Sequence, residues 1–335
     1  MTTMKEIADK AKVSRATVSR VLSGSEKVKP ETKEKVQYWI EKLDFQPNLV
    51  AQGLVGNKTK VIGVMVPNLS NPFYANIVEA IETEAAELGY SIIIQCTHKD
   101  AKREKKLLRV LKSRRADGLL IIPNDKEGNY NYLKNIDMPM VVFTKEIENV
   151  SCVYVSIKKE IKKIVNYFYE SGHEKLCYVG PVKKKNGAYN IKYDSYVSAI
   201  EALDITLCDI IDCPQGEDEE DAIVYDTVLE YLQSNQMKST AVFAHNDIAA
   251  VDTIAALERK EYKVPEDIAV FGFDDTILAM KSNPRLSSVK HPLNQIGVYA
   301  LKLLISKIEN GEEECIHLEV DSTLIERAST KCTRK

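Results

Sequence analysis

From Val61 onward the chain alternates short β-branched apolar runs with longer amphipathic stretches, and no other feature of the sequence constrains the fold as much. Strands are predicted over residues 61–66, 91–96, 118–122, 140–143, 176–179, 206–211, 240–244 and 268–273, with helices between them, for example over 72–88, 101–114, 158–171 and 246–260. Antiparallel strands can be joined by a tight turn, whereas parallel ones need a long crossover, usually a helix. Repetition at this spacing therefore implies parallel sheets covered by helices on both faces, an α/β fold. Two such sheets in series give two lobes, and the natural ligand position is the crevice at the carboxyl ends of the strands. No G-x-G-x-x-G follows the first strand, so a dinucleotide site is unsupported.

Those carboxyl ends are polar. Asn68 and Phe73 follow the first strand, Asn124-Asp125 the third and Thr144 the fourth; Asn246-Asp247 and Asp274-Asp275 follow later ones. Carboxylates and amides converging on one cleft suit a polyhydroxylated ligand, because each bonds a hydroxyl directionally. The alternative is that Asn246, Asp247 and Asp274 simply cap the helices they precede. The acidic run at 217–221 reads as a helix start, where negative charge complements the dipole.

Residues 1–60 read differently. They hold 12 Lys/Arg against 7 Asp/Glu, a net +5, whereas residues 61–335 hold 34 against 42, a net −8. A basic head on an acidic body suggests that the head alone meets a polyanion. Thr3 and Glu6 form a capping box for a first helix that puts Met4, Ile7, Ala8 and Ala11 on one face. After a break at Lys12-Val13, Ser14 is placed to cap a second helix that turns Val18, Val21 and Leu22 inward. Ala16 and Arg20 then share its outer face, and Arg15 sits at its exposed end. Pro30 opens a third helix burying Val36, Ile40 and Leu43 and ending before Gln46-Pro47. Two short helices and a tight turn, backed by a third, make a helix-turn-helix unit whose second helix enters the major groove. A small helical bundle that docks a protein has the same pattern.

The residues themselves resemble one family along essentially the whole chain. Ala16-Thr-Val-Ser-Arg20, then Pro47-Asn48-Leu-Val-Ala-Gln-Gly-Leu54, and in the body Val66-Pro-Asn-Leu-Ser-Asn-Pro-Phe73, Ala241-Val-Phe-Ala-His-Asn-Asp247 and Val264-Pro-Glu-Asp-Ile-Ala-Val-Phe-Gly-Phe-Asp-Asp275, are similar to the lactose/galactose repressor family. The resemblance implies an all-α headpiece over 1–46, a hinge helix and linker over 47–60, and a two-lobed body over 61–335 similar to periplasmic sugar-binding proteins. It implies that Arg15, Ala16 and Arg20 read bases, that Thr17 and Ser19 hold phosphates, and that Asn48 and Leu54 belong to a minor-groove hinge with Leu54 as its wedge. Packing of Leu54 against the body is the competing reading. Effector contacts map onto Phe73, Thr144, Asn246 and Asp274, with Asn68, Asp247 and Lys192 beside them.

The implied protein is a sequence-specific DNA-binding regulator, a repressor by type. It would act as a homodimer on pseudo-palindromic operator DNA under control of a small carbohydrate effector. Two departures stand out. Lys12 occupies a turn position that members usually give to Gly, and Lys192 stands where sugar-responsive members usually place Arg. Lys is a single mobile point charge, so the second exchange is not conservative. Lys183-Lys184-Lys185 follows Gly180-Pro181 and is either a solvated loop or a cationic rim suited to a sugar phosphate or sugar acid. Catabolite-control members, which answer to a phosphorylated carrier protein, also carry Lys at the Lys192 position. Their docking helix reads differently from Asn294-Gln-Ile-Gly297 and Leu301-Lys302.

Other classes have little support. His173-Glu174 is not H-E-x-x-H, because position 177 is Cys, and no G-x-S-x-G is present, so neither an enzyme nor a cofactor is called for. Gly56-Asn-Lys-Thr59 lacks the spacing of a phosphate-binding loop. Seven cysteines (96, 152, 177, 208, 213, 315 and 332) with no C-x-x-C pair suggest reduced thiols in a cytoplasm. Charges in the first twelve residues argue against an export signal, and no apolar run is long enough for a membrane span.

Overall fold

The computed structural model describes residues 3–22, 27–45, 58–124, 130–183, 190–213, 222–311 and 314–331. The chain divides into two compact units, 1–59 and 60–335.

In the first unit, helix α1 (Met4–Ala11) begins at the expected capping box: Glu6 N donates to Thr3 Oγ1 at 3.3 Å and Thr3 N donates to Glu6 Oε2 at 2.8 Å. It ends at Lys12, which adopts the left-handed region at φ 54 so that its N–H reaches back to Ala8 and Asp9. Gly would take that conformation at no steric cost, and a non-Gly residue is strained there. Helix α2 (Arg15–Leu22) is capped by Ser14, whose Oγ accepts from Thr17 N at 3.1 Å. Helix α3 (Pro30–Lys42) packs behind both. Its end precedes the expected one, because Asp44 turns left-handed at φ 43 and Phe45 N–H returns to the Ile40 carbonyl. Ile7, Ala8, Ala11, Val18, Val21 and Val36 are buried, with Trp39, Ile40 and Leu43 packed against them. A buried aliphatic side chain contributes about 1.5–3 kcal/mol, so this small core is enough to fix three helices.

The second unit starts with β1 (Val61–Val66), α4 (Pro72–Glu87), β2 (Ser91–Cys96), α5 (Ala101–Ser113), β3 (Gly118–Ile121), β4 (Met140–Thr144) and β5 (Cys152–Tyr154). The chain then builds a second layer from α6 (Ile157–Glu170), β6 (Lys175–Gly180), α7 (Ile191–Glu201), β7 (Thr206–Asp212), α8 (Ala222–Ser234), β8 (Ala241–Ala244), α9 (Asp247–Arg259) and β9 (Ala269–Phe271). After α10 (Ile277–Lys281) and β10 (Ser288–Lys290), α11 (Leu293–Asn310) and β11 (His317–Glu319) return to the first layer before β12 (Thr323–Ile325) pairs antiparallel with β10. The first sheet runs β11-β5-β4-β3-β1-β2 and the second β7-β6-β8-β9, every pairing parallel. Strands such as β3, β8 and β9 are buried on both faces, which is why their sequences read as continuous apolar runs and not as alternation.

The lobes are therefore not in series along the chain. The backbone passes between them near 155–156, 291–292 and 320–322, and the first lobe is completed by α11, whose Ile296, Ala300, Leu301 and Leu304 are buried against its core. The strand expected over 268–273 is confined to three residues, and β5, β10, β11 and β12, also of three residues each, were not expected. Three residues are too few to show a period.

Candidate functional site

A cavity of about 660 Å³ opens between the carboxyl ends of the two sheets. Seven residues singled out from the sequence line it together: Phe73, Asn124, Thr144, Lys183, Lys192, Asn246 and Asp274. Phe73 lies in the first turn of α4, where the N-cap Asn71 accepts from Phe73 N at 2.9 Å. Thr144 closes β4 in the left-handed region at φ 70. Asn246 both caps α9, accepting from Ala249 N at 2.8 Å, and faces the cavity, so the capping and ligand readings coexist in one side chain. Asp274 caps nothing; the N-cap of α10 is Thr276.

Asn68 and Asp247 are not among the lining residues. Asn68 Oδ1 accepts from Asn71 N and Ser70 Oγ, both at 3.0 Å, and so shapes the turn that delivers Phe73. Asp247 is 1% exposed and lies behind the wall, accepting from Thr276 N at 2.6 Å and Ser288 Oγ at 2.5 Å. Burial, and then the nearby Asp274 carboxylate, push its carboxyl up to about 7. It holds the loop that presents Asp274 to the ends of β9 and β10.

The electrostatic centre of the wall is Lys192. Asn190 caps its helix, accepting from Lys192 N at 3.0 Å, and Lys192 Nζ donates to the His245 carbonyl at 2.5 Å while lying 3.8 Å from the centroid of the Phe273 ring. Burial lowers its pKa, opposed through space by Asp274 and Asp247. The imidazole of His245 is driven down to about 3 by burial and then by the neighbouring Lys192 ammonium, so it stays neutral. His245 stands directly against Gly180. A Cβ on Gly180, at φ +150, would lie 2.7 Å from His245 Cβ, which is why that strand end carries no side chain.

His291 was not singled out from the sequence, yet it joins the cavity to two chain crossings. Its Nε2 is 3.5 Å from Asp274 Oδ1, its Nδ1 is 2.7 Å from Ser322 Oγ, and its ring packs 4.8 Å from Phe273 and 5.8 Å from Phe73. Ser, His and Asp in a row superficially suggest nucleophilic catalysis. Ser322 is buried and absent from the lining, so this hydroxyl is not presented to a ligand. Lys99, Lys145 and His245 also line the cavity and were missed. Each follows a strand end, so extending the strand-end rule to every strand would have found them; His291 has no such signal. Among the described residues no group of three potential metal ligands is assembled, and no helix is long and apolar enough to cross a membrane.

On the head, Arg15, Ala16, Ser19 and Arg20 are exposed on α2. Thr17 is half-buried with its hydroxyl 2.9 Å from Ser14 Oγ. Asn48 and Leu54 lie outside the described residues, as do Asp125, Lys184, Lys185 and the acidic run at 217–221.

Comparison with known proteins agrees with this two-part architecture. Residues 3–48 match the model of bacterial regulatory proteins of the lacI family, and residues 165–330 match that of periplasmic binding protein-like domains. The chain is 31% identical to catabolite control protein A of Priestia megaterium, over 97% of this chain and 96% of that one. It is also 31% identical to the ribose operon repressor of Haemophilus influenzae, over 98% of each. The lac repressor dimer bound to operator and an anti-inducer shares the fold, with a TM-score of 0.87, 22% identity and 99% of each chain covered. A helical head joined to a two-lobed binding body defines a ligand-responsive DNA-binding regulator. The chain belongs to the lacI family of bacterial regulatory proteins.

Proposed function

We propose that this protein is a cytoplasmic, non-enzymatic transcriptional repressor that binds pseudo-palindromic operator DNA as a homodimer and releases or grips it according to a carbohydrate in the cleft. Residues 1–46 form the headpiece, 47–60 the hinge and 61–335 the effector-binding body. Arg15, Ala16 and Arg20 contact bases, Thr17 and Ser19 hold phosphates, and Asn48 and Leu54 enter the minor groove. In the body Phe73, Thr144, Lys192, Asn246 and Asp274 contact the ligand, with Asn68 and Asp247 supporting them from behind.

The observation that carries this reading is the cavity wall. Amide, carboxylate and hydroxyl groups of Asn246, Asp274 and Thr144 come from both lobes and converge beside the apolar faces of Phe73 and Phe273. Sugars need that mixture, with directional partners for hydroxyls and a flat apolar face for the ring. Asp274 contacts His291, and His291 contacts Ser322, so a group touching the ligand is two contacts away from a second crossing between the lobes. A ligand preferring one lobe arrangement would shift the population toward it and so bias the heads.

The test is selection of operator from random duplexes by the full-length chain, followed by binding titrations with and without sugars. A two-fold-symmetric consensus whose affinity changes with a sugar is the expected result; no enrichment would overturn the reading. A catabolite-control type of regulation, answering to a phosphorylated carrier protein, is favoured by the likeness to catabolite control protein A. Retention of such a carrier on immobilised protein would establish it. The exposed face of α11 offers Asn294, Gln295, Tyr299 and Lys302 for that contact, and Lys302 is already paired with Glu84 at 3.1 Å.

A further inference from the structure

The charge of the cleft runs against the charge of the body that contains it. Residues 61–335 carry 42 acidic against 34 basic side chains, yet the cavity lining holds Lys99, Lys145, Lys183 and Lys192 against Glu146 and Asp274. Each carboxylate has a histidine beside it, Glu146 3.5 Å from His317 Nδ1 and Asp274 3.5 Å from His291 Nε2, while Lys145 donates to the neutral Tyr130 hydroxyl at 2.6 Å. The lysines come from both walls: Lys99 and Lys145 from the first lobe, Lys183 and Lys192 from the second.

Lys192 is the decisive member. Among the described residues no carboxylate lies within ion-pair distance of it, and its ammonium makes one hydrogen bond, to the neutral His245 carbonyl, with an aromatic face beneath. Asp274 and Asp247 act on this ammonium only through space, and a buried charge with no direct ionic partner is costly until an anion reaches it. Like-signed charges on both walls of a crevice focus the potential and draw in an ion of opposite sign.

Resting on the reading of the cleft as a carbohydrate site, we propose that its ligand is an anionic sugar, carrying a phosphate ester or a carboxylate that is seated on Lys192 and faces the lysines of the opposite wall. The oxyanion draws the two cationic walls together, while Asn246, Asp274 and Thr144 hold the hydroxyls. His245, held neutral by burial and by Lys192, does not compete for the anion. A phosphate ester, with about −1.5 to −2 charge, would be held more tightly than a carboxylate, with −1.

Calorimetric titration of the full-length protein with matched sets tests this: glucose, glucose 6-phosphate and gluconate, then ribose and ribose 5-phosphate, each with and without inorganic phosphate as competitor. The charged member of a binding set is expected to bind at least about tenfold more tightly than the neutral one, the effect of one charge-assisted contact. Inorganic phosphate should compete with it. Lys192→Met should remove that preference, weakening the charged sugar at least about tenfold more than its neutral partner, and Lys192→Arg should restore it. The order of the phosphate and carboxylate members identifies which oxyanion is taken. Neutral sugars binding as tightly as their charged partners, or Lys192→Met weakening both equally, would overturn the inference and leave the carbohydrate reading intact. Phosphate binding with no sugar of either kind would overturn the carbohydrate reading, and binding of none of the compounds would overturn both.

Discussion

Asp247→Asn isolates the cost of burying one carboxylate beneath the cleft. Asp247 accepts one bond from Thr276 N and one from Ser288 Oγ. An asparagine carbonyl can keep the bond from Thr276 N, but its amide can only donate to Ser288, whose hydroxyl already accepts from Asp275 N and then loses its own acceptor, a fixed cost that does not vary with pH. The folded-state carboxyl titrates near 7 in place of the ordinary 3.8. A folded pKa above the unfolded one means that the native state binds the extra proton. Its stabilising contribution is complete below the unfolded pKa and is lost as pH rises toward 7. Each pH unit in that window is worth about 1.4 kcal/mol, so between pH 5 and pH 8 the wild type should lose about 3 kcal/mol that the Asn variant keeps. At roughly 2 °C per kcal/mol for a unit of this size, the Tm of the variant relative to wild type should rise by roughly 6 °C over that range. Thermal unfolding at half-unit pH steps measures it. Any fixed difference from the exchange itself cancels, so a Tm difference that is flat with pH, or that falls, would refute the argument that Asp247 is buried at the expense of its charge.

Three further outcomes are expected. Arg20→Ala should cost about 1–3 kcal/mol at one symmetric operator position and relax selectivity there, measured by competition with single-base variants; a loss equal across all sequences would mark a phosphate contact instead. Asp274→Asn should weaken the response to ligand and leave operator affinity without ligand near that of the parent in an anisotropy titration, and an unaltered response would leave Asp274 only a structural part of the loop after β9. Gly180→Ala places a Cβ 2.7 Å from His245 Cβ at φ +150, so overpacking and backbone strain together should cost about 2–5 kcal/mol and lower the Tm by several degrees; an unchanged Tm would show that His245 yields freely.

The head was almost wholly legible. Its capping box, its Ser14 cap, the inward Val18 and Val21 and the outward Arg15 and Arg20 are relations within a few residues of one another, and local geometry alone enforces them. The parallel sheets were legible for a similar reason, since a strand buried on both faces must be apolar throughout and a parallel partner must be reached through a helix. The strand-end rule likewise led to Phe73, Thr144, Asn246 and Asp274, because in this architecture chain order and cleft position are linked.

Tertiary structure alone decided the rest. Asp247 shares a strand end with the lining residue Asn246, yet it is turned away by hydrogen bonds to partners that no local rule supplies, Thr276 and Ser288, 29 and 41 residues away; Asn68 is turned away by a local turn, to Ser70 and Asn71. The return of α11 and β11 to the first lobe, and the meeting of His291, Ser322 and Asp274 where the chain crosses, depend on contacts between distant segments whose individual patterns are unremarkable. The positive character of the cleft is of the same kind: four lysines scattered between positions 99 and 192 of an acidic body become one electrostatic feature only when the two sheets bring their carboxyl ends together. Sequence fixes which charges exist, but the field they create depends on their separation and on the water excluded around them, and both are properties of the folded chain.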